Sequence, residues 1–296
     1  MWHYKAYSSK VVAPLSKRWQ ARLAKSKSPA TSLTPKQDNR RAEKRIIELR
    51  QCKLGHRRIQ SELIRLHGIH LSTATIHKVL HQLGLPQLNQ KRAYRKIIKR
   101  YNRPVPGDRI QMDVCKIAPG LYQYTAIDDC TRYKVLRLYK RRTADNTLKF
   151  LDAVIEEMPF AFQRIQTDRS KEFFADEVQQ RLLDWGIKFR SIKPRFPHLN
   201  GKVERSQRTD LDEFYATVNM KNPELDDRLS EWQHYYNWDR PHSSLNGKTP
   251  IERLHELSDK VLFWNDVDSK FDPDKERIQD QNYYANLILK KLKRCL

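Results

Sequence analysis

The apolar positions of this chain follow two different periods. Between residues 41 and 90 they recur at helical spacing. Ala42, Ile46 and Leu49 share one face, then Ile59, Leu63 and Leu66, then Ile76, Val79, Leu80 and Leu83. This spacing predicts three short helices, with Gly68 placed to break the second, Ser72 to cap the third and Gly84 to end it, as in a helix-turn-helix module. From residue 107 the period drops to two. In DRIQMDVCKI, Ile110, Met112 and Val114 alternate with Gln111, Asp113 and Cys115, the pattern of a strand with one buried face. YQYTAIDD and RYKVLRLY read as two further strands around a turn at Asp129 to Thr131, and a helix follows from Ala144 to Glu157.

Farther on, FAFQRIQ reads as a short buried strand that delivers Asp168 at its C-terminal end, where open α/β sheets place their reactive groups. Val178, Leu182 and Trp185 predict a helix from Ala175 to Trp185 with Gly186 as its stop, and IKFRSIKP reads as another strand. Pro197, Asn200 and Gly201 mark a loop, and Asn200 is placed to cap a helix with Val203, Leu211, Phe214 and Val218 on its apolar face and Glu204 in its first turn. Leu225, Leu229, Trp232 and Tyr236 define another amphipathic helix. Tyr284, Leu287, Ile288 and Leu292 define a last one beside Lys290, Lys291, Lys293 and Arg294. Three strands, a helix, then alternating strand and helix make an α/β pattern, whose strand order periodicity does not set.

Charge divides the chain differently from hydrophobicity. The net charge of the 296 residues is +23, yet residues 1–107 hold 25 Lys and Arg against 4 Asp and Glu, which leaves 33 against 31 for the remainder. A solvated face mixes both signs, so a basic N-terminal third favours a polyanion, and duplex DNA fits better than a membrane because no stretch is strongly apolar and amphipathic. Residues 91–104, KRAYRKIIKRYNRP, interleave Tyr94 and Tyr101 with basic residues and suit a phosphate-tracking linker. The four cysteines, Cys52, Cys115, Cys130 and Cys295, form no C-x-x-C and indicate neither a disulfide framework nor a zinc ribbon, in keeping with a reducing cytoplasm. There is no apolar run of membrane-spanning length and no secretory h-region.

Candidate chemistry lies with carboxylates. Asp113 on a strand, Asp168 at a strand end and Glu204 at a helix start, the last two separated by 35 residues, are all oxygen ligands. Converging without cations they would raise each other's pKa, and hard divalent cations remove that conflict. Asp128 and Asp129 are rivals for the first position. His77 and His81, at i and i+4, lack a third ligand for zinc, and His242 beside Arg240 suits a structural role.

TDRSKEFF, PHLNGKVERS and YNWDRPHSSLNGKTPIERL resemble, in order, the motifs of the integrase-core (DDE-type) transposases of bacterial insertion sequences, relatives of retroviral integrases, over roughly residues 43–296. The resemblance implies a ribonuclease H-like integrase catalytic core over residues 107–220. Before it would come a basic arm over 1–40, an all-α helix-turn-helix DNA-binding domain over 41–90 and a basic linker over 91–106, and after it a helical extension over 221–296. It implies Asp113, Asp168 and Glu204 as catalytic residues holding two Mg²⁺ (or Mn²⁺) ions, with AIDD as a structural turn. It implies double-stranded DNA as partner, a homo-oligomer on that DNA, and a bacterial cytoplasmic location. Thr73, Thr75, His77, Lys78, His81 and Gln82 would face a major groove, and Lys202 and Arg208 would orient the scissile phosphate, unless Arg208 pairs with Asp212. Two residues depart from the family pattern. Ser170 stands where Gly is usual, and would be strained in a turn with positive φ, and Phe196 stands where a smaller residue is usual.

Overall fold

The computed structural model describes residues 35–52, 54–85, 102–192 and 197–279. The expected arm over 1–40 for the most part, the linker aromatics, Phe196 and the last amphipathic helix lie outside the described residues. The chain divides into two compact units, residues 1–91 and 92–296.

The described residues of the first unit form a three-helix cluster: α1 (Pro35–Gln51), α2 (His56–His67) and α3 (Thr73–Gln82). Ile46, Leu54, Ile59, Leu63, Ile76 and Leu80 close its core, the stripe that the helical spacing predicts. Gly68 ends α2 in the left-handed conformation at φ 63°, and the Ser72 hydroxyl caps α3 by accepting from the Thr75 N–H at 3.0 Å.

The second unit is built on a five-stranded sheet of order β3-β2-β1-β4-β5. The strands are β1 (Ile110–Ala118), β2 (Leu121–Asp128), β3 (Lys134–Tyr139), β4 (Arg164–Thr167) and β5 (Lys188–Ser191). The first three form an antiparallel meander, while β4 and β5 join β1 in parallel through the helices α4 (Ala144–Glu157), α5 (Lys171–Phe174) and α6 (Asp176–Asp184). Antiparallel hairpins on one side of a central strand and parallel crossovers on the other make the ribonuclease H-like α/β fold.

The two faces of this sheet are buried by different chemistry. On one, Ile110, Met112, Tyr124 and Ile165 meet Phe150, Leu151 and Val154 of α4 and Val178 and Leu182 of α6 in the main apolar core. The other carries Gln111, Gln123 and Thr125, all at 0 % exposure, beneath helix α7 (Gly201–Asp210). Alternation along β1 predicts one buried face, whereas the structure buries both, because α7 covers the polar one through hydrogen bonds.

Helix α7 begins differently from the reading of Asn200 as its cap. A 3₁₀ turn, Pro197–Asn200, runs directly into it, and the Asn200 side chain makes no capping hydrogen bond. At its far end α7 widens into a π-turn over Leu211–Tyr215, which brings Phe214 and Tyr215 to the core together. Helix α8 (Leu225–Trp238) packs Leu225, Leu229 and Trp232 with them against Leu136 of β3. Helices α9 (Pro250–Glu256) and α10 (Trp264–Ser269) complete the described chain, α9 opening on a Thr249–Glu252 capping box. No helix of the described residues is long and apolar enough to cross a membrane.

Candidate active site

The sheet brings Asp113 and Asp168 together. Strands β1 and β4 pair in parallel with Met112 opposite Thr167, so the aspartates leave neighbouring strands one step farther on, where β4 stops and β1 continues. The Asp113 carboxylate accepts from the Val114 N–H at 2.9 Å. Asp168 Oδ1 accepts from the Ser170 N–H at 3.0 Å, and Oδ2 from the Ser170 hydroxyl at 2.6 Å.

Glu204 arrives from the first turn of α7 with its side chain exposed. Burial pushes the Asp113 carboxyl up to about 7, the charge of Asp168 is next in weight, and the charge of Glu204 acts in the same direction. Opposing these are the Val114 N–H and the Gln207 amide. Gln207 is buried on the inner face of α7, yet its Nε2 completes no hydrogen bond of full geometry, so its influence on Asp113 is that of a nearby dipole. Among the described residues no group of three or more His, Cys, Asp or Glu lies close enough to hold a metal ion. Glu204 thus feels the aspartates through charge while standing off from them. The all-oxygen donor set, one member of which is held partly protonated near neutrality, has the chemistry that a hard divalent cation relieves.

The rivals to Asp113 have structural employment. Asp128 is fully buried and accepts from the Gly107, Cys130 and Thr131 N–H groups and the Thr131 hydroxyl. Asp129, equally buried, pairs with Arg109 and Lys202. The geometry uses Lys202 for that anchor, with its Nζ 2.8 Å from Asp129 Oδ1, while Arg208 lies on the exposed side of α7 and pairs with Asp212 at 3.1 Å. His242 is buried between Arg240 and the Tyr236 ring, and Arg240 grips Glu213 with two hydrogen bonds, a packing arrangement.

Ser170 corrects an expectation. Its φ is −66°, so no left-handed turn exists there and no strain from a side chain. Instead its hydroxyl holds Asp168. Replacing Ser170 by Gly or by Ala should therefore lower any activity that uses Asp168 about tenfold, the two alike, since both lose a hydrogen bond to a charged group. A Gly variant as active as wild type, measured as strand-joining rate, would refute that role.

On α3 of the first unit, Thr75, His77, Lys78, His81 and Gln82 are exposed and Thr73 half-buried. Thr75 shares its hydroxyl with Ser72 at 2.8 Å, and the His77 ring sits edge-on to His56. Sequence reading missed Gln207, whose only signal is its place one turn after Glu204, and the hydroxyl of Ser170, which a pattern built on Gly conceals.

With the meander, the parallel crossovers and the paired aspartates in place, comparison with known proteins is decisive. Models described as Integrase core domain match residues 103–197 and 185–250, which together span half of the chain. The chain belongs to the integrase-core family. A protein of Spiroplasma virus SpV1-C74 named as integrase ORF3 is 28% identical over 173 residues, which is 50% of this chain and 48% of that protein. The chain thus spans about half the length of this integrase relative. The insertion element IS407 31.7 kDa protein of Burkholderia multivorans is 23% identical over 239 residues, 74% of this chain and 82% of that protein. The catalytic core domain of BIV integrase is similar at a TM-score of 0.44 and 20% identity, over 52% of this chain and 97% of that one.

Proposed function

We propose that this integrase-core chain is a DDE-type polynucleotidyl transferase, the transposase of an insertion element, which cuts DNA at the element ends and joins them to target DNA at Asp113, Asp168 and Glu204. The observation that carries this reading is the parallel register of β1 and β4, which sets Asp113 beside Asp168 with Glu204 on the first turn of α7, and burial with these neighbouring acids raises the Asp113 carboxyl. Two carboxylates side by side on β1 and β4, with a third on α7 whose charge reaches the first, make a costly arrangement for a fold alone.

Asp113, Asp168 and Glu204 would hold Mg²⁺ or Mn²⁺, two ions in this reading, which supply charge neutralisation at the scissile phosphate and a more acidic attacking water or 3′-hydroxyl. The chain's own residues do the positioning. Ser170 fixes both oxygens of Asp168, Val114 fixes Asp113, and Glu204 is exposed on the first turn of α7. Of the two flanking cations, Arg208 is the one presented to DNA, because its exposed pair with Asp212 is weak and a phosphate can compete for it. In the first unit, Lys78 would contact phosphate, while Thr73, Thr75, His77, His81 and Gln82 would face base edges. Joining two ends to one target favours a homo-oligomer on the DNA.

The test uses the purified chain with duplexes carrying its element's ends and a target DNA, in Mg²⁺ or Mn²⁺. Nicking at the ends followed by joining of the new 3′-hydroxyl to target is the expected result. Binding without cutting in either metal would make the chain a DNA-binding remnant, and cutting without joining would make it a nuclease. In the same preparations Lys78→Ala should weaken binding to all sequences alike and Gln82→Ala should relax the preference for the ends over other sequences. The same loss on every sequence for both would refute the groove assignment.

A further inference from the structure

Gln111 and Gln166 face each other directly across the parallel pair β1 and β4, and each precedes one of the two aspartates by two residues. Side chains two apart on a strand share a face, so both glutamines lie behind the aspartates on the side that α7 covers. They are buried at 0 % and 6 % exposure. Each reaches the chain that leads into α7. Gln166 Nε2 donates to the Leu199 carbonyl at 2.9 Å, and Gln111 Oε1 accepts from the Val203 N–H at 3.2 Å.

Their other ends converge on one anchor. Gln111 Nε2 donates to Asp129 Oδ1 at 2.9 Å, while Arg109, whose Nε donates to Asp129 Oδ2 at 2.6 Å, sends Nη1 to Gln166 Oε1 at 2.9 Å. Lys202, on the first turn of α7, closes the frame by donating to the Asp129 carbonyl at 2.9 Å. The first N–H groups of a helix need partners from outside it. Here the Asn200 side chain does not serve, and a side chain from the sheet does.

We propose that Gln111 and Gln166 are positioning residues, a frame that fixes the start of α7 on the sheet and with it the place from which Glu204 acts on Asp113 and Asp168. Val203 adjoins Glu204 in the chain, and the glutamine that holds its N–H stands on the strand that carries Asp113. A cap supplied by Asn200 would satisfy the helix equally well but would leave Glu204 unreferenced to the aspartates. The frame also gives Lys202 its role, as a clamp on Asp129. The proposal rests on the three-carboxylate reading above, and its test separates the two.

The full chain is titrated with Mn²⁺ by calorimetry, and its amide hydrogen exchange is followed without metal. Gln111→Met and Gln166→Met, unbranched and of similar length, should each weaken Mn²⁺ binding about tenfold, as partners that orient metal ligands do. Glu204→Gln alone should cost at least as much, yet less than about twofold further in either Met background, because Glu204 is already out of place. Exchange over residues 199–206 should rise about tenfold or more in the Met variants while α4 keeps its protection. Full additivity with Glu204→Gln, or unchanged exchange over 199–206, would overturn the proposal. Should Gln111→Met fail to fold, Gln166→Met carries both measurements. If wild type takes up no Mn²⁺, the three-carboxylate reading fails; exchange then decides the frame alone, a rise supporting it and no change overturning it.

Discussion

Asp113→Asn should abolish DNA cutting and joining, a loss of at least about a thousandfold for removal of a metal-holding charge, and should at the same time make the metal-free protein more stable at pH 8. The second effect follows from linkage. The Asp113 carboxyl sits at about 7 in the fold, chiefly through burial and then through Asp168, against roughly 3.9 in an unfolded chain. A raised pKa means stability that is fully present below about pH 4 and is lost as pH rises through about 7, where the folded protein must ionise Asp113 beside its neighbours. By pH 8 the cost is on the order of 2–4 kcal/mol, and Asn, which can still accept from Val114, does not incur it. Thermal melts at pH 4 and pH 8 should show the variant close to wild type at the first and several degrees above it at the second. Added Mn²⁺ should raise the wild-type melting temperature more at pH 8 than at pH 6, because protons compete for the ligand, and should leave Asp113→Asn unmoved. A variant no more stable than wild type at pH 8, or one that Mn²⁺ still stabilises, would sink the account of the site.

What could be read before the structure was local, and what could not was long-range. Period-two alternation located β1, the span of α4 emerges as Ala144–Glu157, and Gly68 and Ser72 act at the ends of helices as their chemistry requires. The pairing of Gln111 with Gln166 is a register between strands 55 positions apart, and no periodicity carries such a register. Lys134 is buried at 0 % exposure between the sheet and the helices that carry Asp210 and Tyr236, a long-range enclosure that no local pattern in RYKVLRLY carries. Leu211, Phe214 and Val218 pack into one cluster as their spacing predicts, and the π-turn over Leu211–Tyr215 adds Tyr215 to it, which that spacing did not show. Ser170 misled because the family pattern suggested a conformation where the side chain supplied a hydrogen bond. In the candidate site Asp113, Asp168 and Glu204 could be singled out as candidates, and the polar side chains around the aspartates could not, since a Gln or Ser two residues from an Asp has meaning only after the sheet has placed it.

The polar face of the sheet yields the largest expected change in stability. Lys134 on β3 and Asp210 on α7 form an ion pair with both side chains at 0 % exposure. Asp210 Oδ1 also accepts from Trp232 Nε1 at 2.8 Å, its Oδ2 accepts from Gln123 Nε2 at 2.9 Å, and the Lys134 ammonium lies 3.4 Å from the centre of the Tyr236 ring. Burial pulls the Lys134 ammonium down to about 8 against the pull of Asp210, so it is still charged at neutral pH, held between a carboxylate and an aromatic face. Lys134→Met leaves Asp210 with its neutral donors and an uncompensated charge, which costs about 3–5 kcal/mol, or roughly 10 °C of melting temperature for a unit of this size. The loss is one of charge balance, so Lys134→Met combined with Asp210→Asn should recover at least about half of it. Differential scanning calorimetry of the two variants decides: a double variant no more stable than Lys134→Met would show that volume and packing set the cost. Because Asp210 lies on the helix that carries Glu204, Lys134→Met should also speed hydrogen exchange along α7 more than along β1, and a uniform increase across the unit would contradict a pair that pins this helix to the sheet.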